Sequence, residues 1–162
     1  TPELNNVLNQ LNVLLSKYKH IDNEKLTVTV NSFSYKNGGI PEDRSGNFGG
    51  FVFDCRALPN PGRFAEYKKL TGQDAEVQDY LNKYEDVNDF LELTHSLIFQ
   101  SVENYLERNF KNLFVNFGCT GGQHRSVFFA EKMAHALREK YPQIKVVLNH
   151  IAQNKHYVYE NE

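Results

Sequence analysis

The sequence predicts an α/β domain: a mostly parallel sheet of about four strands flanked by helices, with a ligand site at the C-terminal ends of the strands. Three observations predict it. Short apolar or β-branched runs recur at residues 26–33, 51–55, 113–117 and 144–148. Stretches of helical apolar spacing lie between them at 75–83, 86–106 and 126–140. Strands alternating with helices close into parallel sheets through right-handed crossovers, and such sheets take ligands outside the carboxyl ends of their strands.

The elements follow in chain order. Leu4, Leu8, Leu11, Leu15 and Tyr18 recur at helical spacing, so residues 3–19 read as an amphipathic helix. The segment 1–22 is expected to link to or pack on a domain formed by 23–162. "LTVTVNSF" (26–33) alternates β-branched and polar residues and reads as a strand. Its connection to the next strand is short for a helical crossover, which leaves its direction open. "NGGIPEDRSGNFGG" (37–50) is a glycine-rich loop, "FVFDC" (51–55) a strand, and "LPNPG" (58–62) a break. A short helix over 75–83 precedes a long one carrying Val87, Phe90, Leu91, Thr94, Leu97, Ile98, Val102, Tyr105 and Leu106, with Asp86 as its expected cap. His95 borders that stripe and reads as structural. The run 113–117 is a buried strand, 126–140 a helix ending before Pro142, and "IKVVL" (144–148) the last strand.

Bulk composition narrows the function classes. A chain of 162 residues with 40% hydrophobic and 23% charged residues fits one ordinary globular domain. Its net charge of −2 argues against broad nucleic-acid affinity, since phosphate backbones attract basic surfaces. Cys55 and Cys119 are the only cysteines, too few for a disulfide framework, so a cytoplasmic setting is expected. No apolar run approaches a membrane span, and no signal peptide opens the chain. The chain opens without an initiating Met, so it is read as a piece of a longer protein with another domain ahead of it.

"FGCTGGQHRSVFF" (117–129) concentrates the chemistry. If the strands run parallel, the residues after each one gather Lys36, Asp54, Arg56, His124, Arg125 and His150 on one edge. Gly121 and Gly122 lack Cβ atoms, so the N–H groups of the turn can curl round an oxyanion. The helix that follows adds its positive dipole end. Arg125 offers a planar fork for phosphate and is expected to face solvent as a clamp. His124 can donate or shuttle a proton, and Ser126 can cap the helix or bond the ligand. No G-x-x-x-x-G-K-[ST] run supports P-loop binding of ATP. His20, His95 and His135 lack metal-ligand spacing, so neither metal nor cofactor is assigned.

A second chemistry fits the same stretch. Cys119, five residues, then Arg125-Ser126 satisfies the C-x5-R-[ST] pattern of cysteine-dependent phosphatases, in which the thiolate attacks and the arginine holds phosphoryl oxygens. Asp54, or Asp43 in the loop, is the candidate acid. Gly118 stands where those enzymes carry a histidine, and no Trp-Pro-Asp-like loop exists.

"GCTGGQHRSV" (118–127), "FVFDCRALPNP" (51–61), "LTG" (70–72) and "SFSYKNGGIP" (32–41) together resemble the C-terminal domain of the RapZ family of RNase adapter proteins, in the same order over about residues 26–150. The resemblance implies a sensor domain that binds an amino-sugar phosphate and, in RapZ itself, small regulatory RNAs. It implies a pocket drawing on Cys119, Thr120, Gly121, Gly122, Gln123, His124 and Arg125, with Asp54, Arg56 and Asn60 matching the Asp-x-Arg-x-x-Pro-Asn block. Loop 42–50 is longer than in the family. The chain's end lacks the family's Arg-His-Arg-Asp run and basic tail, leaving only His150 of that block. The reading is therefore a regulatory domain for a sugar phosphate or nucleotide, with a small-RNA adapter as the alternative and a cysteine phosphatase third.

Overall fold

The computed structural model describes residues 1–22 and 24–162, and the side chains of all of these except 16–22. Helix α1 (Pro2–Asp22) comes first, then strands β1 (Thr27–Ser34) and β2 (Phe51–Asp54), helices α2 (Ala75–Asn82) and α3 (Glu85–Glu107), strand β3 (Asn112–Cys119), helix α4 (Arg125–Lys140), and strands β4 (Lys145–His150) and β5 (Lys155–Tyr159). The side chains of Tyr18 and His20 lie outside the described residues. Leu4, Leu8, Leu11 and Leu15 of α1 are each about half exposed, so that stripe does not join the core. Among the described residues no helix is long and apolar enough to cross a membrane.

The five strands lie in the order β2-β3-β1-β4-β5. The first four are parallel; β5 runs antiparallel to β4. The open question about β1 resolves through this order. Residues 35–50 need no helix because β2 does not pair with β1: the chain passes over β3 and lands at the sheet edge. Loop 37–50 runs close along β3 on its way, with Asn47 Nδ2 donating to the Asn112 carbonyl at 3.2 Å. The expected four strands are five, because β5 carries no strong strand signal of its own.

Strand parity sets the core. Val28, Val30, Val115, Phe117, Val146 and Leu148 are fully buried with Phe128, Phe129, Met133 and Leu137 of α4. Phe90 of α3 joins them, its ring 6.3 Å from Phe53 and 4.9 Å from Phe129. Rings at such spacings meet edge to face, adding to the gain from apolar burial. Another sheet row is polar: Asn149 Nδ2 donates to Asn31 Oδ1 at 2.9 Å, Asn31 Nδ2 to Asn116 Oδ1 at 3.0 Å, and Asn116 Nδ2 to the Phe51 carbonyl at 2.9 Å. This ladder ties four parallel strands in one register, since a slip of one residue would bury its amides without partners.

Two element ends differ from expectation. Tyr84, in extended backbone, precedes the first turn of α3 in place of Asp86, whose carboxylate lies inside that turn and accepts the Val87 amide at 2.9 Å. Strand β3 continues to Cys119, two residues past the apolar run, because it stays paired with β1 through Phe33 against Gly118 and Ser34 against Cys119, where Gly118 leaves room for Phe33 and Tyr35. A Cβ there would lie 2.4 Å from Phe33. The longer strand carries Cys119 to the mouth of the next turn.

Candidate functional site

The turn 120–124 joins the end of β3 to the start of α4, at the C-terminal edge of the parallel strands. Three of its carbonyls accept: Lys36 N donates to Thr120 O, Gly72 N to Gln123 O, and Phe128 N to His124 O. Among the described residues, none of the N–H groups of 120–124 donates to a protein acceptor. Unpaired amides ahead of a helix N-terminus, whose dipole is positive, favour an anion.

The two glycines have separate tasks. Gly122 has a φ of +67°, and a Cβ there would lie 2.7 Å from Ala152 Cβ, so only glycine lets the turn fold back against residues 151–153. At Gly121 a Cβ would meet nothing within 4 Å, because that side opens on the cleft. Gly122 shapes the turn; Gly121 keeps its mouth clear.

The cleft has two lobes. One, of about 360 Å³, is lined by Gly62, Lys68, Cys119, Gly121, Gln123 and His124. The other, of about 540 Å³, is lined by Arg56, Arg63, Phe64, Tyr80 and Asp86. Asn60, Thr120 and Arg125 belong to both.

Arg125 stands at the junction, and here the expectation of a solvent-facing clamp is corrected. The residue is only 5% exposed. Its Nη1 donates to the carbonyls of Arg56 at 2.7 Å and Leu58 at 3.1 Å, stitching the segment after β2 to α4. Its Nε is buried without a partner among the described residues. A buried guanidinium N–H left unpaired costs free energy, so a ligand oxygen placed there would be strongly favoured.

Other side chains hold this frame. Gln123 Nε2 donates to the carbonyls of Lys68 and Leu70, both at 2.7 Å. His124 Nε2 lies 2.8 Å from the Tyr67 carbonyl, so in the neutral ring it carries the proton and leaves Nδ1 toward Gly62. Asn60 turns its side-chain oxygen to the Gly62 amide at 3.0 Å, which leaves its NH₂ free to donate into the cleft. Asp54 does not line either lobe. It binds Arg56 through Nε at 2.9 Å and Nη2 at 2.8 Å, and accepts the Arg56 amide at 2.9 Å. Those bonds, the side-chain ones first, hold its carboxyl below the usual range. The Arg56 guanidinium also lies over the Tyr35 ring at 3.9 Å, so it is fixed on two sides.

Three residues gathered by sequence lie elsewhere. Lys36 is exposed and joins the turn only through its backbone. Ser126 is buried, its Oγ 3.1 Å from the Cys119 thiol. His150 faces away from the cleft, fully buried, with Nδ1 2.7 Å from Ser32 Oγ and Nε2 2.7 Å from Glu131 Oε1. Burial alone would raise the Glu131 pKa; hydrogen bonds from His150 and Gln73 outweigh it and draw it down. Parity explains His150: it follows Val146 and Leu148 on the strand face that meets α4. The sequence reading missed Arg63, Phe64, Lys68 and Tyr80. The break at "LPNPG" marked a loop there but not what the loop faces.

For cysteine chemistry the frame matches and the candidate acid Asp54 does not. Cys119 ends β3 and Arg125 begins α4, and Cys119, only 3% exposed in the wall of the smaller lobe, has its thiol 3.1 Å from Ser126 Oγ. Asp54 is held ionised by Arg56 and so has no proton to give at neutral pH. Cys55, next to the turn, is pushed well up by burial and then by the neighbouring Cys119.

The sequence profile of the RapZ C-terminal domain matches residues 4–154. A protein of Acidobacterium capsulatum named a nucleotide-binding protein is 40% identical over 131 residues, covering 80% of this chain and 41% of that protein. Nucleotide-binding proteins of Clostridium botulinum and Fervidobacterium nodosum are 32% and 37% identical over 96% and 87% of this chain, and over 50% and 48% of their own lengths. The chain thus spans about half the length of the curated relatives it matches. With its parallel sheet, its Gly-Cys-Thr-Gly-Gly turn and a profile match over nearly its whole length, this chain belongs to the RapZ C-terminal domain family.

Proposed function

We propose that the cleft binds the phosphate of a small phosphorylated metabolite, a sugar phosphate or a nucleotide, and that the domain serves as a sensor. The observation that carries this reading is the buried, unpartnered Nε of Arg125 beside five unpaired amides. A single oxyanion can accept from both kinds of donor and also offsets the positive charge of Arg125. Lys68 and Arg56 add positive charge at the two ends of the cleft. The ionised Asp54, which has no proton to donate, favours binding over turnover.

A thermal-shift screen tests it. A ligand bound only by the folded state stabilises by about 2.7 kcal/mol at roughly 100-fold over Kd. In a domain of this size that raises the melting temperature by about 5–10 °C. No shift with any phosphorylated compound at millimolar concentration would defeat the reading. The small-RNA alternative has its own signature, since sub-micromolar gel shifts with a steep salt slope would promote it. With a net charge of −2 over these 162 residues, the expected outcome is no tight RNA complex at physiological salt.

A further inference from the structure

The larger lobe of the cleft has a chemistry that a phosphate does not use. Phe64 is 46% exposed although it sits in a cluster of rings. Its ring lies 5.8 Å from that of Tyr80, and Tyr80 lies 5.3 Å from both Tyr67 and Tyr84. Tyr84 OH donates to Tyr80 OH at 3.2 Å, which holds the two phenols in place. The result is a fixed aromatic wall with one face open to the lobe. Arg56 lines the same lobe as a second planar group, held by Asp54 and Tyr35. Asp86 lines it too: one carboxylate oxygen accepts the Val87 amide, and the other is left for a ligand N–H. At about 540 Å³ the lobe falls in the size range of sites that enclose whole organic ligands.

We propose that this lobe is a base-binding subsite, so that the ligand is a nucleoside phosphate whose base stacks on Phe64 while its phosphate occupies the turn 120–125. The inference rests on the phosphate reading above and specifies the rest of the molecule. An open aromatic face accepts the π-face of any base, and Asp86 prefers bases that offer a ring or exocyclic N–H. The junction residues Asn60 and Thr120 lie where the ribose would bridge the two lobes.

Calorimetric titration of the 162-residue chain tests this with inorganic phosphate, ribose 5-phosphate, an amino-sugar phosphate, and AMP, GMP, CMP and UMP. At least one nucleotide is expected to bind about tenfold or more tightly than ribose 5-phosphate, the margin a single base stack supplies. Phe64→Ala should reduce that nucleotide to the affinity of ribose 5-phosphate and leave inorganic phosphate unchanged, and Phe64→Tyr should restore it. If phosphates bind but ribose 5-phosphate equals every nucleotide, the base subsite is wrong and the phosphate reading stands. The base subsite is equally wrong if the amino-sugar phosphate binds tightest, or if Phe64→Ala weakens all probes alike. If no phosphorylated probe binds, both readings fall.

Discussion

Arg125→Ala is expected to abolish the phosphate-dependent rise in melting temperature and also to lower the melting temperature of the unliganded domain. The two effects have different origins. The first comes from losing the Nε donor and the charge at the cleft junction. The second comes from the carbonyls of Arg56 and Leu58, which lose their donor. Losing hydrogen bonds from a charged donor to part-buried carbonyls costs about 1.5–3 kcal/mol, or some 3–12 °C in a domain this size. Arg125→Lys separates the two. It keeps a cation that can reach a carbonyl but lacks the planar fork, so the baseline melt should stay near wild type while affinity falls about tenfold or more. A wild-type ligand shift in either variant would show that Arg125 only staples the fold.

Gly72→Ala is expected to destabilise the domain strongly, because the added methyl group meets backbone on two sides. A Cβ at Gly72 would lie 2.3 Å from Phe128 N and 2.4 Å from His124 O. Both are backbone atoms, one in the first turn of α4 and one in the residue before it, so neither can rotate aside. The segment would have to lift away, breaking the bond from Gly72 N to Gln123 O at 3.0 Å. It would also disturb Gln78 Nε2, which donates to Gly72 O at 2.9 Å. Overpacking of this kind costs about 1–3 kcal/mol and sometimes more. Melting curves should show a fall of several degrees, together with weaker ligand binding, since Gln123 and His124 are held by this contact. Gly121→Ala is the control: its Cβ meets open space, so the melt should hold while ligand binding falls. Equal melts for the two variants would contradict the packing explanation.

The residues that build the turn were legible because their signal is local. An apolar run into Gly118-Cys119, two glycines and a basic pair opening an amphipathic helix lie within a dozen positions. Strand β5 was not, because "KHYVY" is only five residues long, opens on two polar residues and lies at the sheet edge. What makes it a strand is its pairing with β4, from Val146 against Tyr159 to His150 against Lys155. The orientation of Arg125 was hidden for a related reason. Its burial depends on carbonyls at residues 56 and 58, some seventy positions upstream, which the sheet order brings alongside. His150 was placed by strand order alone; counting parity from Val146 and Leu148 would have turned it toward α4. The aromatic wall was out of reach, since Phe64 and Tyr80 come from a loop and from α2 and meet only when both pack.

The claim on which the rest depends is that the turn 120–124 and Arg125 form one anion site. A crystal of the chain soaked in sulfate or phosphate tests it most directly. The expected result is an anion in the turn, within about 3 Å of two or more amides of 120–124 and of Arg125 Nε, the distance of an N–H···O hydrogen bond. An empty turn at tens of millimolar anion, with Arg125 Nε still unpaired, would contradict it.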